Sequence, residues 1–236
     1  MKYFIITYGC QMNHSDSEKI TTRLRSLGHK KAPSAQAASL IVINACSIRQ
    51  SAIHRVYGKV ENYKNKKIII AGCVLPKDRK QLLEKNAEFW HPDEYFCLSA
   101  TSENNFSAPV PIMTGCDNFC TYCVVPFTRG REKFRPLGTV LDEVRTLAGA
   151  GYKEIQFLGQ NVNSYRDPAT GAVFRDLLTA ADEIEGIEWI RFITSHPKNF
   201  NDDMAEAMAR SRHVCRQIHL PLQSGSSAVL ERMKRG

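Results

Sequence analysis

Short apolar and β-branched runs, each bounded by turn-forming residues, recur at 3–8, 40–44, 67–71, 110–114, 154–158, 189–194 and 217–220, and each reads as a strand. Amphipathic helical patterns fill most of the intervals. The first opens on Ser15-Asp16-Ser17-Glu18, a capping box, and stops at Gly28; another runs from about Thr139 to Ala150 and ends at Gly151. This βαβα order predicts an α/β fold with parallel sheets covered by helices. The stretch 99–111 (SATSENNFSAPVP) is polar and Pro-bounded, and reads as a linker. On that division, residues 1–100 form a small doubly wound parallel-sheet domain. Residues 109–236 form a partial (β/α) barrel, too short to close where a complete one needs ~250 residues. The last residues, Lys234-Arg235-Gly236, fall inside a helical pattern that begins near Ser226, so the sequence is expected to be a fragment.

Hydrophobic residues make up 43% of the 236, enough for packed cores and against wholesale disorder. No run approaches the ~18–20 apolar residues of a membrane span. The opening residues 1–7 read as a strand without a cleavage region, which predicts a cytoplasmic protein with no membrane partner. In a reducing compartment the eight cysteines are better candidates for metal or redox chemistry than for disulfides. The net charge is +8, and residues 1–108 carry 16 Lys/Arg against 9 Asp/Glu while 109–236 carry 16 against 15. Such a balance suits a polyanionic partner such as RNA, and equally a basic soluble enzyme without one.

Met113-Thr-Gly-Cys116-Asp-Asn-Phe-Cys120-Thr-Tyr-Cys123 follows a strand with the spacing C-x₃-C-x₂-C. Three thiolates on one tight loop can hold three irons of a [4Fe–4S] cube, leaving the fourth iron open to an exogenous ligand. The competing reading is zinc with a distant fourth ligand, although only one C-x₂-C element is present. Cys10, Cys46 and Cys73 each lie just past a strand. In an open parallel sheet, ligands gather at the carboxyl ends of the strands, so these three converge if the fold is right and can bind a second cluster. Read separately, they are three ordinary loop or buried cysteines.

The C-x₃-C-x₂-C loop, with aromatic Tyr122 before its last cysteine, resembles the hallmark of radical S-adenosylmethionine (SAM) enzymes. That resemblance implies SAM bound through its amino and carboxylate groups at the open iron, and reductive cleavage to a 5′-deoxyadenosyl radical. Thr7-Tyr-Gly-Cys10-Gln-Met-Asn13, Asn44-Ala-Cys46-Ser-Ile-Arg49 and Ala71-Gly-Cys73 resemble the three cysteine motifs of the methylthiotransferase N-terminal domain. Residues 115–131, Leu158-Gly-Gln-Asn-Val-Asn-Ser-Tyr165 and His219-Leu-Pro-Leu-Gln-Ser-Gly-Ser226 extend the match. Together they resemble the MiaB branch, the tRNA-2-methylthio-N6-isopentenyladenosine synthases. The branch that modifies a ribosomal protein has Pro-Lys where Gln11-Met12 stand here.

Under that resemblance, residues 1–100 are the methylthiotransferase N-terminal domain and 109–236 an incomplete radical SAM domain. The remaining barrel strands and the RNA-binding TRAM domain are absent. It implies two [4Fe–4S] clusters, one on Cys116, Cys120 and Cys123 and the other on Cys10, Cys46 and Cys73. SAM is the second cofactor, with Tyr122 near its adenine and Gln160 and Asn161 near its amino group. Ser195 and Gln223 join that set by their position at strand ends. No side chain is assigned as an acid, base or nucleophile. The expected partners are a tRNA anticodon loop and a reductant such as flavodoxin or ferredoxin, for a monomeric enzyme. The alternatives are methylthiolation of threonylcarbamoyl adenosine in tRNA, and a non-catalytic iron–sulfur or zinc protein that binds RNA.

The remaining chemistry-bearing residues have plainer expectations. Cys97 and Cys215 read as small core residues, and His14 as local polar structure. His196 and His219 stand at strand ends, where sites form. Arg129, Arg131, Lys133 and Arg135 form a basic loop, either a contact for tRNA phosphates or a solvated surface. Lys64, Lys66 and Lys67 read as a soluble turn.

Overall fold

A computed structural model describes residues 1–48, 50–99 and 106–235. The chain separates into two compact units, Met1–Ala100 with Phe127–Arg129, and Thr101–Pro126 with Gly130–Gly236.

The first unit runs β1 (Lys2–Thr7), α1 (Gln11–Ser26), β2 (Lys30–Lys31), β3 (Leu40–Cys46), α2 (Gln50–Asn62), β4 (Lys67–Cys73), α3 (Pro76–Leu83) and β5 (Ala87–Phe89). Its strands lie in the order β2-β1-β3-β4-β5, all parallel. The central strand, Leu-Ile-Val-Ile-Asn-Ala-Cys, is buried along its whole length, as expected of a parallel strand covered on both faces. Alternation sorts its residues: Ile41, Ile43 and Ala45 pack with Ile53, Val56 and Val60 of α2, while Leu40 and Val42 pack with Ile20 and Leu24 of α1. Each such aliphatic side chain contributes about 1.5–3 kcal/mol by leaving water. The order of the strands reverses between β1 and β3, and at such a switch point the loops diverge and leave a crevice at the carboxyl ends.

The second unit holds β6 (Ser107–Pro111), β7 (Met113–Thr114), β8 (Lys133–Phe134), α5 (Leu137–Gly149), β9 (Glu154–Leu158), α6 (Phe174–Asp182), β10 (Trp189–Phe192), α7 (Asp202–Arg210) and α8 (Ser227–Arg232); the single-turn α4 (Val125–Thr128) precedes β8. Strands β10-β9-β6 form a parallel sheet, and β7 and β8 an antiparallel pair. Val110, Ile155, Phe157, Ile190 and Phe192 pack against Val140, Val144 and Leu147 of α5 and Phe174, Leu177 and Leu178 of α6.

Several expectations change. Residues 100–105 of the expected linker lie outside the described residues, and its last five form β6. The expected strand 110–114 is two: Pro111 ends β6, and Met113–Thr114 turn away to pair with Lys133–Phe134. No strand forms at 217–220. Ahead of that segment Val214 makes an isolated bridge to Ile190 of β10, within it the His219 carbonyl accepts the Ser195 N–H beyond the end of β10, and Pro221 follows without a donor to extend a ladder. Helix α1 begins at Gln11, not Ser15. Asn13 explains the shift, because its Oδ1 accepts the Cys10 N–H at 3.3 Å and so satisfies the helix start.

Candidate functional site

At the carboxyl end of the first sheet, Cys46 and Cys73 end neighbouring strands and stand opposite each other in register. Cys10 caps α1 just beyond β1. A buried amide network ties these loops together. Asn44 Nδ2 donates to the Asn13 carbonyl (2.6 Å) and to Ser17 Oγ (2.9 Å), while Asn13 Nδ2 donates to Asn44 Oδ1 (3.0 Å) and the Ala45 carbonyl (3.2 Å). Gly72 has φ +88°, and a Cβ there would lie 2.3 Å from Asn44 Oδ1 and 2.4 Å from the Ala45 carbonyl. Only glycine allows the strand to turn into Cys73 at that distance. The thiols feel one another. The hydrogen bond from the Cys73 thiol, against the cost of burial, brings Cys46 down to about 7. Donating that bond, together with burial, pushes Cys73 well up.

Arg129 completes this site. Its Nε donates to Cys73 Sγ at 2.9 Å, and its Nη2 meets Asp16 Oδ2 at 2.5 Å. The sequence put Arg129 in a basic loop, either a contact for tRNA phosphates or a solvated surface, and its side chain is neither, at 2% exposed. Asp16 lies 113 positions away, so no local pattern joins the two. Asn13 and Asn44 were within the cysteine motifs but went unassigned. Their spacing of three after Cys10 and two before Cys46 was the available signal.

In the second unit, Cys116 and Cys120 are buried and Cys123 is partly so. The loop is closed by the Cys116 N–H on the Gly130 carbonyl (3.1 Å) and the Cys123 N–H on the Cys120 carbonyl (2.9 Å). Gly115 sits at φ +81°, where a Cβ would lie 2.0 Å from the Arg131 carbonyl. Asn118 Nδ2 donates to Cys116 Sγ at 3.5 Å. Arg235 Nη1 lies 3.9 Å from Cys120 Sγ and donates to the Tyr122 hydroxyl at 3.0 Å. Burial pushes the Cys116 thiol up.

The polar residues past β6, β9 and β10 carry buried atoms without hydrogen-bond partners among the described residues. These are Thr114 Oγ1, Gln160 Oε1, Asn161 Oδ1, both amide atoms of Asn163, Ser195 Oγ and His196 Nε2. Native structures leave few such groups unpaired, so a concentration at strand ends is what a polar ligand would satisfy. Thr194 immediately before Ser195 holds φ +72°, a strained conformation for a β-branched residue. The sequence-chosen positions divide. Asn161 and Ser195 are buried, Gln160 is half-buried, and Tyr122 and Gln223 are exposed, the latter at φ +71°.

Of the basic loop, Arg135 is also buried, with Nη1 donating to the Pro111 carbonyl and Nη2 2.6 Å from Glu143. Arg131 and Lys133 are exposed. Cys97 is exposed on a turn and Cys215 half-buried, so neither is a core residue. His14 and His219 are exposed and His196 is buried.

Among the described residues no three Cys, His, Asp or Glu side chains already form a metal-ready group. The fit to iron–sulfur clusters therefore rests on the donor sets, three thiols at the ends of the parallel strands β1, β3 and β4 and three more on the single loop that follows β7. For SAM it rests on the orphaned polar atoms. Both fit. No helix among the described residues is long and apolar enough to cross a membrane.

Comparison with known proteins adds to this. Residues 2–91 match the uncharacterized protein family UPF0004, and residues 110–236 match the Radical SAM superfamily. The chain is 40% identical to the tRNA-2-methylthio-N(6)-dimethylallyladenosine synthase of Thermotoga petrophila, with 100% of this chain and 61% of that protein covered. It is 39% identical to the synthase of the same name from Finegoldia magna, covering 99% and 59%. The chain thus spans about three-fifths of the length of the curated relatives it matches. In fold it resembles the radical S-adenosylmethionine methyltransferase TsrM from Kitasatospora setae, with TM-score 0.65, 12% identity, and 99% of this chain and 61% of that one covered. It also resembles the cobalamin-dependent S-adenosylmethionine radical enzyme OxsB, with TM-score 0.61, 13% identity, and coverage of 100% and 45%.

Proposed function

The chain belongs to the radical SAM superfamily, and we propose that the protein it forms part of transfers a methylthio group, in two SAM-dependent steps, to C2 of N6-isopentenyladenosine beside the tRNA anticodon. The observation that carries this reading is the second cysteine set. A radical enzyme needs only one three-cysteine loop, and here Cys10, Cys46 and Cys73 occupy the ends of β1, β3 and β4 in a sheet of their own. The names of the relatives, synthases that install this modification, support the substrate.

Cys116, Cys120 and Cys123 would hold one [4Fe–4S] cluster, which together with SAM would supply the radical chemistry that the unactivated C2–H bond requires, and Cys10, Cys46 and Cys73 would hold a second, which would supply the sulfur. The remaining work belongs to the protein's side chains, which bind and orient. Gln160 and Asn161 would offer their unpartnered carbonyl oxygens to the SAM ammonium and Ser195 its hydroxyl to the same ligand, while Tyr122 would lend backbone near the adenine and Gln223 would join the set from its exposed loop. Asn13 and Asn44 hold the Cys10 loop against β3. The adenosine enters unstacked, as a single-stranded anticodon loop permits. Residues 1–100 act as the sulfur-carrying domain and 109–236 as the radical domain, in a cytoplasmic monomer served by flavodoxin or ferredoxin.

The test uses the full-length protein, reconstituted anaerobically, with tRNA bearing isopentenyladenosine or threonylcarbamoyl adenosine. About eight irons and eight sulfides per chain are expected, with methylthiolation of the isopentenylated tRNA alone. Replacing Cys10, Cys46 and Cys73 by Ala is expected to leave SAM cleavage and stop methylthiolation. Product from that variant would sink the assignment, turnover of threonylcarbamoyl adenosine would move the substrate, and zinc without sulfide would leave a non-catalytic RNA-binding protein.

A further inference from the structure

Arg129 has a place in the first unit that the proposed reaction does not explain. Its side chain and that of Asp16 are each 2% exposed. A guanidinium so deeply buried needs a counter-charge, and Asp16 supplies one to Nη2 at 2.5 Å. That pairing accounts for one edge of the guanidinium and leaves Nε unaddressed. The Nε–H is instead aimed at a sulfur, Cys73 Sγ, at 2.9 Å. Arginine presents its donors in a rigid planar fork, so fixing Nη2 on Asp16 fixes where Nε points. Asp16 is held in turn by α1, the helix that Cys10 caps. Two of the three cysteines are thereby connected through one ion pair.

We propose that Arg129 is a positioning residue that sets the charge borne by the Cys73 sulfur, and through it the reduction potential of the iron–sulfur centre on Cys10, Cys46 and Cys73. The inference rests on the reading that these three cysteines hold such a centre. Reduction adds one negative charge. A cation and an N–H···S bond at a ligand sulfur favour the more negative state, so they raise the potential. Asp16 acts in the opposite sense, one guanidinium further away, and limits the rise. The pair therefore predicts shifts of opposite sign when its two members are changed, which a merely structural ion pair does not.

The experiment uses the full-length protein with Cys116, Cys120 and Cys123 replaced by Ala, so that only the centre in question remains. Iron and sulfide are measured first, then the midpoint potential by a redox titration followed by electron paramagnetic resonance. Arg129→Lys keeps the charge and loses the Nε–H. Arg129→Gln with Asp16→Asn removes both charges together and leaves no unpaired buried ion, so its folding does not depend on the pair. Asp16→Asn keeps the N–H···S bond and removes the opposing charge. The expected result is unchanged iron, about four per chain, with a lower potential in the first two variants and a higher one in Asp16→Asn. With iron retained, an unmoved potential in the double variant, or shifts of one sign in all three, would overturn the role of Arg129. A parent protein that binds no iron at this site would instead overturn the reading of the second centre, and the inference with it.

Discussion

Arg135→Ala in the second unit separates a structural arginine from an RNA-binding one. Arg135 is 1% exposed and its partner Glu143 5%, with Nη2 and Oε2 2.6 Å apart. The contact is one of charge more than of aligned hydrogen bonding. Removing one member of a buried pair strands the other charge, at about 3–5 kcal/mol. Losing the 2.9 Å bond from Nη1 to the Pro111 carbonyl adds about 1 kcal/mol. The sum, about 4–6 kcal/mol, is a large part of a stability of about 5–15 kcal/mol, and corresponds to a fall in melting temperature of roughly 10–20 °C. Arg135→Met with Glu143→Leu leaves no stranded charge and is expected to recover most of the loss. Urea and thermal melts measure both, and filter binding to tRNA at several salt concentrations is run beside them on the folded fraction. If Arg135→Ala melts like the parent while its tRNA affinity falls with a shallower salt dependence, the burial argument is wrong and Arg135 reaches phosphate.

Three further outcomes are expected. Gly72→Ala puts a Cβ at φ +88° within 2.4 Å of the Ala45 carbonyl; left-handed strain and overpacking together cost about 2–5 kcal/mol, and iron bound by the second cysteine set should fall with stability in urea. Burial, with Arg235 and Lys198 nearby, holds His196 below its ordinary 6.5. The unfolded chain then binds the proton first, so stability is expected to drop as pH falls below about 6.5, a slope that His196→Gln should flatten in urea midpoints between pH 7 and 5. Arg131→Ala and Lys133→Ala, at exposed positions, should each leave the melt unchanged and reduce the salt-dependence slope of tRNA binding by about 1 if they touch phosphate.

Much of the fold was legible because burial on two faces leaves a dense signal. Residues 40–46 and 67–73 are long apolar runs ended by cysteine, and the structure makes both of them central strands. The strands that went unread are edge or hairpin pieces. Lys30–Lys31 and Lys133–Phe134 are two residues each, too short for a period of two to register. Helix α1 was read four residues late because Ser15, Asp16 and Ser17 look like a cap. Asp16 and Ser17 instead bond Arg129 and Asn44, while the amide that completes the start belongs to Asn13, within the cysteine motif.

The site was legible as a set of positions and not as a set of directions. Cys10, Cys46 and Cys73 stand at or just past the ends of β1, β3 and β4, where the sequence put them, because the end of a buried strand is readable whatever its side chains do. The basic loop could not be read so, because whether an arginine faces water depends on a carboxylate elsewhere. Arg129 finds Asp16 and Arg135 finds Glu143, and between them Arg131 lies 3.1 Å from Asp117. Each pairing removes one charge of either sign, so the net +8 stays intact while the loop that carried the most concentrated basic residues retains little of it. The surplus therefore rests on the lysines and arginines of residues 1–108, where 16 face 9 acidic groups. A long-range attraction to tRNA phosphates follows the net charge of a surface and not the density of basic residues in the sequence. On that ground, a tRNA bound as proposed would be drawn more to the sheet domain than to the loop beside Cys123.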